Sequence, residues 1–201
     1  MSKILLTGSS GLLGKHLKIE ADRPSHREMD ITKKIKPKKY DMIIHAAAYT
    51  NVQSAENHQM ECFNVNVKGT LNLLNAYPDT PFVYISSEYA YKPVNFYSLS
   101  KNIAEELVKR HSNFLIIRTL FKANPWPFEK AFTDQFTTGD YVDVIAPLIE
   151  KTIAEWDGIG KRFVYVGTGR KTIYELAVKT KPDVIPNSIK EMKVPIPADY
   201  A

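Results

Sequence analysis

Cysteine is nearly absent from the sequence, since Cys62 is the only one among 201 residues. One thiol cannot close a disulfide within the chain, which excludes a disulfide-stabilised scaffold and is typical of the reducing cytoplasm, where we expect the protein to lie. Long apolar runs are absent too, and none approaches the roughly 18–20 residues of a membrane-spanning helix. The first apolar run covers only residues 4–6, too short for a signal peptide, so we expect no membrane partner.

Acidic residues are in the minority, with 22 Asp and Glu against 27 Lys and Arg and a formal charge of +5. Much of the excess lies in KKIKPKK, residues 33–39, which we interpret as a solvated helix end and turn before a buried strand. No aromatic residue interleaves with these lysines, so a stacking platform for nucleic acid is not indicated and no nucleic-acid partner is predicted. A mildly basic protein equally attracts anionic nucleotides.

The composition is otherwise that of a soluble globular protein, with 44% hydrophobic and 24% charged residues. A chain of 201 residues is long enough to bury a real core in one domain. We therefore predict a single domain over residues 1–201, with the elements of a small additional lobe mainly within residues 120–201.

The N-terminal part alternates between short apolar runs and segments with helical spacing. Strands are predicted over residues 3–7, 40–48, 81–87 and 113–119, and helices over residues 11–19, 59–77 and 97–111. Strands that alternate with helices imply βαβ units and a parallel sheet covered on both faces. The predicted fold is α/β, a Rossmann-type doubly wound parallel sheet with a small C-terminal lobe.

Two segments break this pattern. The polar, proline-containing stretch EADRPSHREMD, residues 20–30, stands where a full strand is expected, so we predict that this strand is short or frayed. Residues 122–140 show few periodic features. After them, the pattern predicts helices over residues 141–156 and 172–180 and a strand over residues 161–167.

A glycine-rich loop follows the first predicted strand and opens the first helix. TGSSGLLG places Gly8, Gly11 and Gly14 three residues apart. Glycine serves there for a tight turn, for close approach of the backbone to a pyrophosphate and for close packing of helix on strand. In this strand–turn–helix context the loop predicts dinucleotide binding, with a plain structural turn as the alternative.

A dinucleotide site of this kind expects an acidic residue roughly 20 positions later, on the adenosine ribose. Glu28 and Asp30 are the candidates, but the neighbouring basic residues Arg23, His26 and Arg27 are suited to a 2′-phosphate. NAD and NADP therefore both remain open. Asp30 is alternatively only a polar residue near the start of the next helix, capped by Thr32.

The pentapeptide YSLSK places Tyr97 and Lys101 four residues apart. On a helix this spacing puts both side chains on one face, with an ammonium beside a phenol. Such a pair suits proton donation near neutral pH, because the ammonium favours the phenolate. The alternative is an amphipathic pair that reaches from the helix to solvent.

Several motifs occur together and in the order typical of one family. They are TGSSGLLG, DIT (30–32), HAAAYTNVQSAE (45–56), NVNVKGTLNLL (64–74), ISSEYAY (85–91), YSLSK and IIRT (116–119), with GDYVDVIAPLI and VPIPADYA later in the chain. The sequence resembles the extended short-chain dehydrogenases/reductases, and within them the dTDP-4-dehydrorhamnose reductases, over nearly its whole length. The resemblance implies NADP- or NAD-dependent reduction of a 4-keto nucleotide sugar.

The resemblance also assigns roles to individual residues. It implies that the pyrophosphate lies on the glycine loop, the adenine against residues of the DIT motif, and the ribose and nicotinamide beside three alanines. The cofactor-binding residues are then Gly8, Ser10, Gly11, Leu12, Leu13, Asp30, Ile31, Ala46, Ala47, Ala48, Tyr97 and Lys101. The implied catalytic residues are Ser87, Tyr97 and Lys101, and no metal ligand is among them.

The implied chemistry is consistent with the residue types. A phenol with a pKa near 10 is a poor donor at pH 7. Lys101 and the oxidised nicotinamide formed during hydride transfer are expected to lower the pKa of Tyr97, while Ser87 orients the carbonyl and stabilises the developing charge. The alternative for Ser87 is a turn residue at the end of a strand.

The sequence departs from the family pattern in two places. Ser87 and Tyr97 are only ten positions apart, fewer than is usual in the family, although a strand end and a helix start still meet across so short a connection. The segment after Thr119 is also compressed, so we expect a small substrate lobe and an open pocket. Glu88, Tyr89, Asn51 and Trp126 are the candidate substrate contacts.

Two other functions remain open from the sequence. A nucleotide-sugar epimerase or dehydratase shares the fold and the Tyr-Lys pair, although dehydratases commonly carry an Asp-Glu pair after the serine and only Glu88 is present here. A non-catalytic, dinucleotide-binding regulatory subunit, such as that of methionine adenosyltransferase, also resembles this branch. The expected partner is a small nucleotide sugar, and a homodimer is possible.

Overall fold

A parallel sheet of five strands forms the centre of the protein in a computed structural model that describes residues 3–199. All pairings within this sheet are parallel. In spatial order the strands are β1 (Ile4–Thr7), β2 (Met42–His45), β3 (Phe82–Ser87), β4 (Phe114–Thr119) and β9 (Lys161–Tyr165). Among the described residues, β9 pairs only with β4, so it forms an edge of the sheet.

The four strands β1 to β4 are largely buried and mostly apolar because both faces of the sheet are covered there, whereas the edge strand β9 is mostly exposed. Alternate residues belong to different core clusters: Leu6 and Ile44 pack on one face, and Leu5 and Ile43 pack on the other. The helices lie on both faces. They are α1 (Leu12–His16), α2 (Val52–Asn57), α3 (Gln59–Phe63), α4 (Gly69–Ala76), α5 (Phe96–Val108), α6 (Val142–Ala154) and α7 (Ile173–Ala177).

The two layers confirm the predicted doubly wound α/β fold. Side chains of α1 and α6, such as Leu13 and Ile149, pack on one face of the sheet. Side chains of α4 and α5, such as Leu73 and Ala104, pack on the other face.

The segment after β4 forms three small two-stranded sheets rather than a further layer. The pairs are β5 (Phe121–Lys122) with β8 (Asp140–Tyr141), β6 (Lys130–Phe132) with β11 (Ile185–Asn187), and β7 (Phe136–Thr137) with β10 (Lys171–Thr172). A third cluster of buried side chains joins this segment to α2, α3 and α5. The weak periodicity of residues 122–140 reflects strands of only two or three residues. Residues 200 and 201 of the VPIPADYA motif lie outside the described residues.

The strand expected within residues 20–30 is confirmed as short. It is reduced to one parallel bridge between Leu5 and Asp22, in which the amide of Leu6 donates to the Asp22 carbonyl at 2.9 Å. Polar residues and Pro24 follow directly, and they cannot continue a buried strand. The chain that follows this bridge is therefore built from turns.

The helix predicted over residues 59–77 is confirmed, since the chain is helical over residues 59–76, but its middle turn is not α-helical. A π-helical turn spans Asn64–Lys68 between α3 and α4. The Asn66 side chain points inward there and exchanges hydrogen bonds with the backbone of Tyr49, at 2.8 and 3.1 Å. A π-turn in an α-helix often marks a functional region, and apolar periodicity alone does not reveal it.

Helix α1 is shorter than predicted and ends at His16, because Leu17 adopts an extended conformation. The Arg23 guanidinium donates to the carbonyls of Gly14, Leu17 and Ile19 at 2.6–2.9 Å, which satisfies acceptors that the end of a helix leaves open.

Within residues 3–199, the structure contains no helix long and apolar enough to cross a bilayer.

Gly14 is required by the packing of α1 on the loop before it. A Cβ atom added at this position would lie 2.3 Å from the Gly8 carbonyl oxygen and 2.6 Å from the Ser9 Cα atom. Both are backbone atoms, so neither can move aside as the end of a flexible side chain would.

We expect Gly14→Ala to lower the free energy of unfolding by about 1–3 kcal/mol, the usual cost of overpacking. Gly169→Ala is the matched control, because its added Cβ would meet no atom within 4 Å. Urea denaturation of both variants measures the difference. Equal stability of the two variants would contradict the packing argument.

Candidate active site

A cleft of about 610 Å³ opens where the strands of the central sheet end. In open α/β sheets, ligands bind outside the carboxyl ends of the strands, where the strand order reverses. The strand order reverses at β1. After β1 the chain first forms the bridge at Asp22 on one side of this strand, and it then crosses over and adds β2 on the other side. The cleft runs from the glycine loop after β1 to the segment that follows β4.

The glycine loop forms one end of the cleft and fits a dinucleotide. Gly8 has a φ of +73°, and a Cβ there would lie 2.4 Å from the backbone nitrogen of Ala47. The loop backbone is thus in direct contact with the segment after β2. Helix α1 begins after Gly11 with no side chain capping its first turn, which leaves the loop suited to an anion.

The other loop and alanine residues predicted to bind cofactor also line this cleft. Small side chains at the alanine positions leave room beside the Gly8 backbone. The lining residues from both predicted groups are Gly8, Ser10, Gly11, Leu12, Leu13, Ala46, Ala47 and Ala48.

The adenosine side of the cleft differs from the prediction. Asp30 does not line it, because its carboxylate accepts hydrogen bonds from the Thr32 amide at 3.0 Å and the Thr32 hydroxyl at 2.7 Å. Glu28 is held in the same way by the amide and hydroxyl of Ser25, both at 2.8 Å. Of the two residues predicted against the adenine, only Ile31 lines the cleft.

Other side chains form the wall on this side, namely Pro24, His26 and Met29. Arg23 is occupied by the end of α1, and Arg27 lines a neighbouring cavity that shares Pro24 and Met29 with the cleft. The alternative in which Thr32 caps a helix near Asp30 is wrong, because no helix follows Asp30. The two residues instead form a local turn.

Ser87, Tyr97 and Lys101 all line the same part of the cleft. Ser87 is the last residue of β3, and Tyr97 and Lys101 lie one turn apart near the start of α5. The three side chains are buried from solvent, and Tyr97 packs edge-on against Tyr89 at 6.2 Å between ring centroids.

The short connection between Ser87 and Tyr97 is held at both ends. A 3₁₀ turn, Glu88–Ala90, follows β3, and its first turn is capped by the Ser87 hydroxyl, which accepts from the Tyr89 amide. Asn95 and Ser98 form a reciprocal capping box at the start of α5. The Glu56 carboxylate also accepts from the Phe96 amide at 2.6 Å. These bonds fix where α5 begins and therefore where Tyr97 lies.

Burial dominates the electrostatics of Tyr97 in this structure and raises its pKa to about 12. A hydrogen bond with the Ser87 side chain acts in the opposite direction and lowers it. The phenol is therefore protonated at neutral pH. The expectation that Lys101 lowers the pKa of Tyr97 is not met here.

Lys101 is held elsewhere. Its ammonium donates to the Ile85 carbonyl at 2.8 Å and lies 4.2 Å from the centroid of the Tyr84 ring. Burial lowers the pKa of Lys101 to about 7, and the charge of Glu105 partly offsets this effect. The amino group thus titrates near neutral pH.

A buried ion pair that sequence reasoning missed lies behind these residues. Arg118 on β4 donates to both carboxylate oxygens of Glu105 on α5, at 2.9 and 2.6 Å. The Ser86 hydroxyl of β3 donates to the same carboxylate at 2.5 Å. The only sequence signal is that Glu105 lies four residues after Lys101, on the same face of the helix.

The four candidate substrate contacts have different positions. Tyr89 lines the cleft, and its hydroxyl accepts from Gln135 at 3.0 Å. Glu88 is instead buried against Thr137 and Thr138 and ties the C-terminal segment to the end of β3. Asn51 caps α2 and Trp126 is buried, and neither lines the cleft. Lys122 and Phe128, which the sequence did not single out, do line it.

The parallel sheet, the glycine loop and the cleft together define a Rossmann-fold protein. A family model described as polysaccharide biosynthesis protein matches residues 23–121, just under half of the chain. Over 107 residues the chain is 33% identical to a dTDP-4-dehydrorhamnose reductase from Aggregatibacter actinomycetemcomitans, a match that covers 45% of this chain and 36% of the relative.

Two further proteins are similar. The chain is 32% identical over 149 residues to a GDP-6-deoxy-D-talose 4-dehydrogenase of the same organism, covering 56% of this chain and 49% of that relative. A crystal structure of a dTDP-4-dehydrorhamnose reductase from Bacillus anthracis in complex with NADP superposes with a TM-score of 0.80 at 24% identity, covering 98% of this chain and 88% of that chain. This last likeness concerns the fold.

The predicted resemblance to the extended short-chain dehydrogenases/reductases, and to the dTDP-4-dehydrorhamnose reductases within them, is thereby confirmed. The matches span at most about half the length of the two curated relatives.

The buried ion pair generates a stability prediction. Glu105→Ala would leave Arg118 charged, buried and without its carboxylate, which typically costs about 3–5 kcal/mol of unfolding free energy. Glu106→Ala is the matched control, since that side chain pairs with Lys109 in solvent and such pairs contribute about 1 kcal/mol or less.

Urea denaturation of the two variants provides the measurement. A loss for Glu105→Ala no larger than that for Glu106→Ala would show that the pair does not hold α5 against β4.

Proposed function

We propose that the protein binds NADPH or NADH in the cleft and reduces the 4-keto group of a nucleotide sugar. Three side chains suited to carbonyl reduction line the same cleft as the glycine loop, and this is the observation that supports the proposal most strongly. The similarity to a dTDP-4-dehydrorhamnose reductase and to a GDP-6-deoxy-D-talose 4-dehydrogenase supports the substrate class.

In this proposal Tyr97 is the general acid. Its phenol is protonated at neutral pH, so the proton is in place for the oxygen of a reacting carbonyl. When bound, the dinucleotide supplies the hydride. Negative charge then develops on the carbonyl oxygen, and the Tyr97 proton neutralises it.

Ser87 and Lys101 assist. The Ser87 hydroxyl, which interacts with the Tyr97 phenol in the free protein, donates its single proton to the carbonyl oxygen instead when substrate is bound, and stabilises the charge there. The Lys101 ammonium lies one helical turn from Tyr97 and adds positive charge near the developing phenolate. Because the pKa of Lys101 is about 7, its amino group is only partly protonated at neutral pH. An anion bound nearby stabilises the protonated form and so increases the positive charge beside Tyr97.

Tyr97→Phe removes the proposed acid while it keeps the ring that packs against Tyr89. We expect kcat to fall by about 100-fold to 10,000-fold, the usual contribution of a positioned acid, with NADPH affinity little changed. The assay follows NADPH oxidation with dTDP-4-keto-6-deoxy sugar. Tyr174→Phe, outside the cleft, is the matched control and should retain activity.

The same assay separates the other functions. NADPH binding with no turnover by the unaltered protein would favour the non-catalytic regulatory role. Interconversion of nucleotide sugars without net NADPH oxidation would identify an epimerase. Equal turnover by Tyr97→Phe and wild type would remove Tyr97 from the mechanism.

The adenosine side of the cleft generates a prediction on cofactor choice. The two carboxylates suited to a ribose 2′-hydroxyl, Glu28 and Asp30, are engaged by Ser25 and Thr32, and neither lines the cleft. We therefore expect NADPH to bind at least as tightly as NADH, as measured by titration of nicotinamide fluorescence. Clearly tighter binding of NADH would show that one carboxylate turns towards the ribose.

A further inference from the structure

The charges that line the cleft are of one sign. Among the described residues, no Asp or Glu lines it, whereas Lys101 and Lys122 do, together with His26. A cleft with only basic lining favours anionic ligands, because no carboxylate in its wall opposes them.

The two lysines differ in what they contact. The ammonium of Lys101 donates to the Ile85 carbonyl at 2.8 Å. The Lys122 ammonium makes no hydrogen bond or ion pair with any residue in the described part of the chain, and its only contact there is with the Phe128 ring, with Nζ 5.6 Å from the centroid. Burial lowers the pKa of Lys122, and no carboxylate offsets this effect.

The backbone around Lys122 holds its position. Lys122 lies in β5, where it pairs with Tyr141 of β8 directly before α6. The preceding residue, Phe121, packs against the core beneath the sheet. Phe121 and Lys122 both line the cleft, and the pairing of β5 with β8 holds this stretch of backbone at the cleft wall.

We propose that Lys122 pairs with a phosphate group of the ligand that the cleft binds. A half-buried lysine without an anion is unfavourable in the free protein, and a phosphate oxygen restores the partner that it lacks. The aromatic contact with Phe128 compensates only in part, since that ring is itself 51% exposed at the mouth of the cleft.

This proposal rests on the proposed function, which offers two sources of phosphate. One is the dinucleotide, through its pyrophosphate or the 2′-phosphate of NADPH, and the other is the diphosphate of the nucleotide sugar. The chemistry at Lys122 is the same in both cases, and the two sources are separated by titrating the protein with NADPH and with dTDP.

Binding of each probe is measured for the unaltered protein, Lys122→Met, Lys122→Gln and Lys122→Arg. Met keeps the length and apolar stem of lysine without its charge, Gln provides a second neutral side chain if Met impairs folding, and Arg keeps the charge. Lys15→Met, on α1 and outside the cleft, is the control for a general loss of positive charge.

We expect both neutral variants to bind one probe roughly 10-fold to 100-fold more weakly, as for the loss of a charged hydrogen bond, while Lys122→Arg and Lys15→Met stay close to wild type. Weaker binding of NADPH assigns a phosphate of the cofactor, and weaker binding of dTDP assigns the substrate diphosphate. Binding of both probes by the neutral variants at wild-type affinity overturns the proposal and leaves the proposed function intact. Failure of the unaltered protein to bind either probe overturns both.

Discussion

The position of the candidate active site depends on the buried contact of Arg118 with Glu105. It joins β4 to α5, and the Ser86 hydroxyl brings β3 into the same contact. β3 ends in Ser87, and α5 carries Tyr97 and Lys101, so the proposed catalytic groups all depend on elements that meet at this carboxylate. A charged pair removed from water is stable only when its geometry satisfies both partners, and such a contact tolerates little displacement of one element relative to another.

The same constraint explains how a short connection between β3 and α5 suffices. The ion pair of Arg118 with Glu105 and the Ser86 hydroxyl hold α5 against β3 and β4. The capping box at Asn95 fixes where the helix starts, and the 3₁₀ turn after Ser87 leads the chain directly to it. A longer loop is not needed to bring Ser87 and Tyr97 together; it would only add walls to the cleft. In this protein Tyr89 and the segment around Phe128 form part of the cleft wall instead.

Much of the fold could be predicted from the sequence because it depends on local patterns. The apolar strands, the glycine loop and the weak strand near Asp22 follow from periodicity, from glycine geometry and from proline chemistry. The interactions that depend on distant partners could not be predicted. No local signal pairs Glu105 with Arg118 or shows that Lys122 lacks a partner, because each depends on which side chains the tertiary fold brings within hydrogen-bond reach.

The edge strand β9 has a consequence for how copies of the protein meet. An exposed strand edge presents unpaired backbone groups and is a template for strands of other molecules. β9 carries Lys161 and Arg162, both exposed, so two copies that approach edge to edge bring positive charges together. The repulsion acts over about 8–10 Å at physiological salt, which is enough to disfavour the first contact between two such edges. Positive charge, rather than a covering helix or loop, thus disfavours pairing of the β9 edge with strands of other molecules.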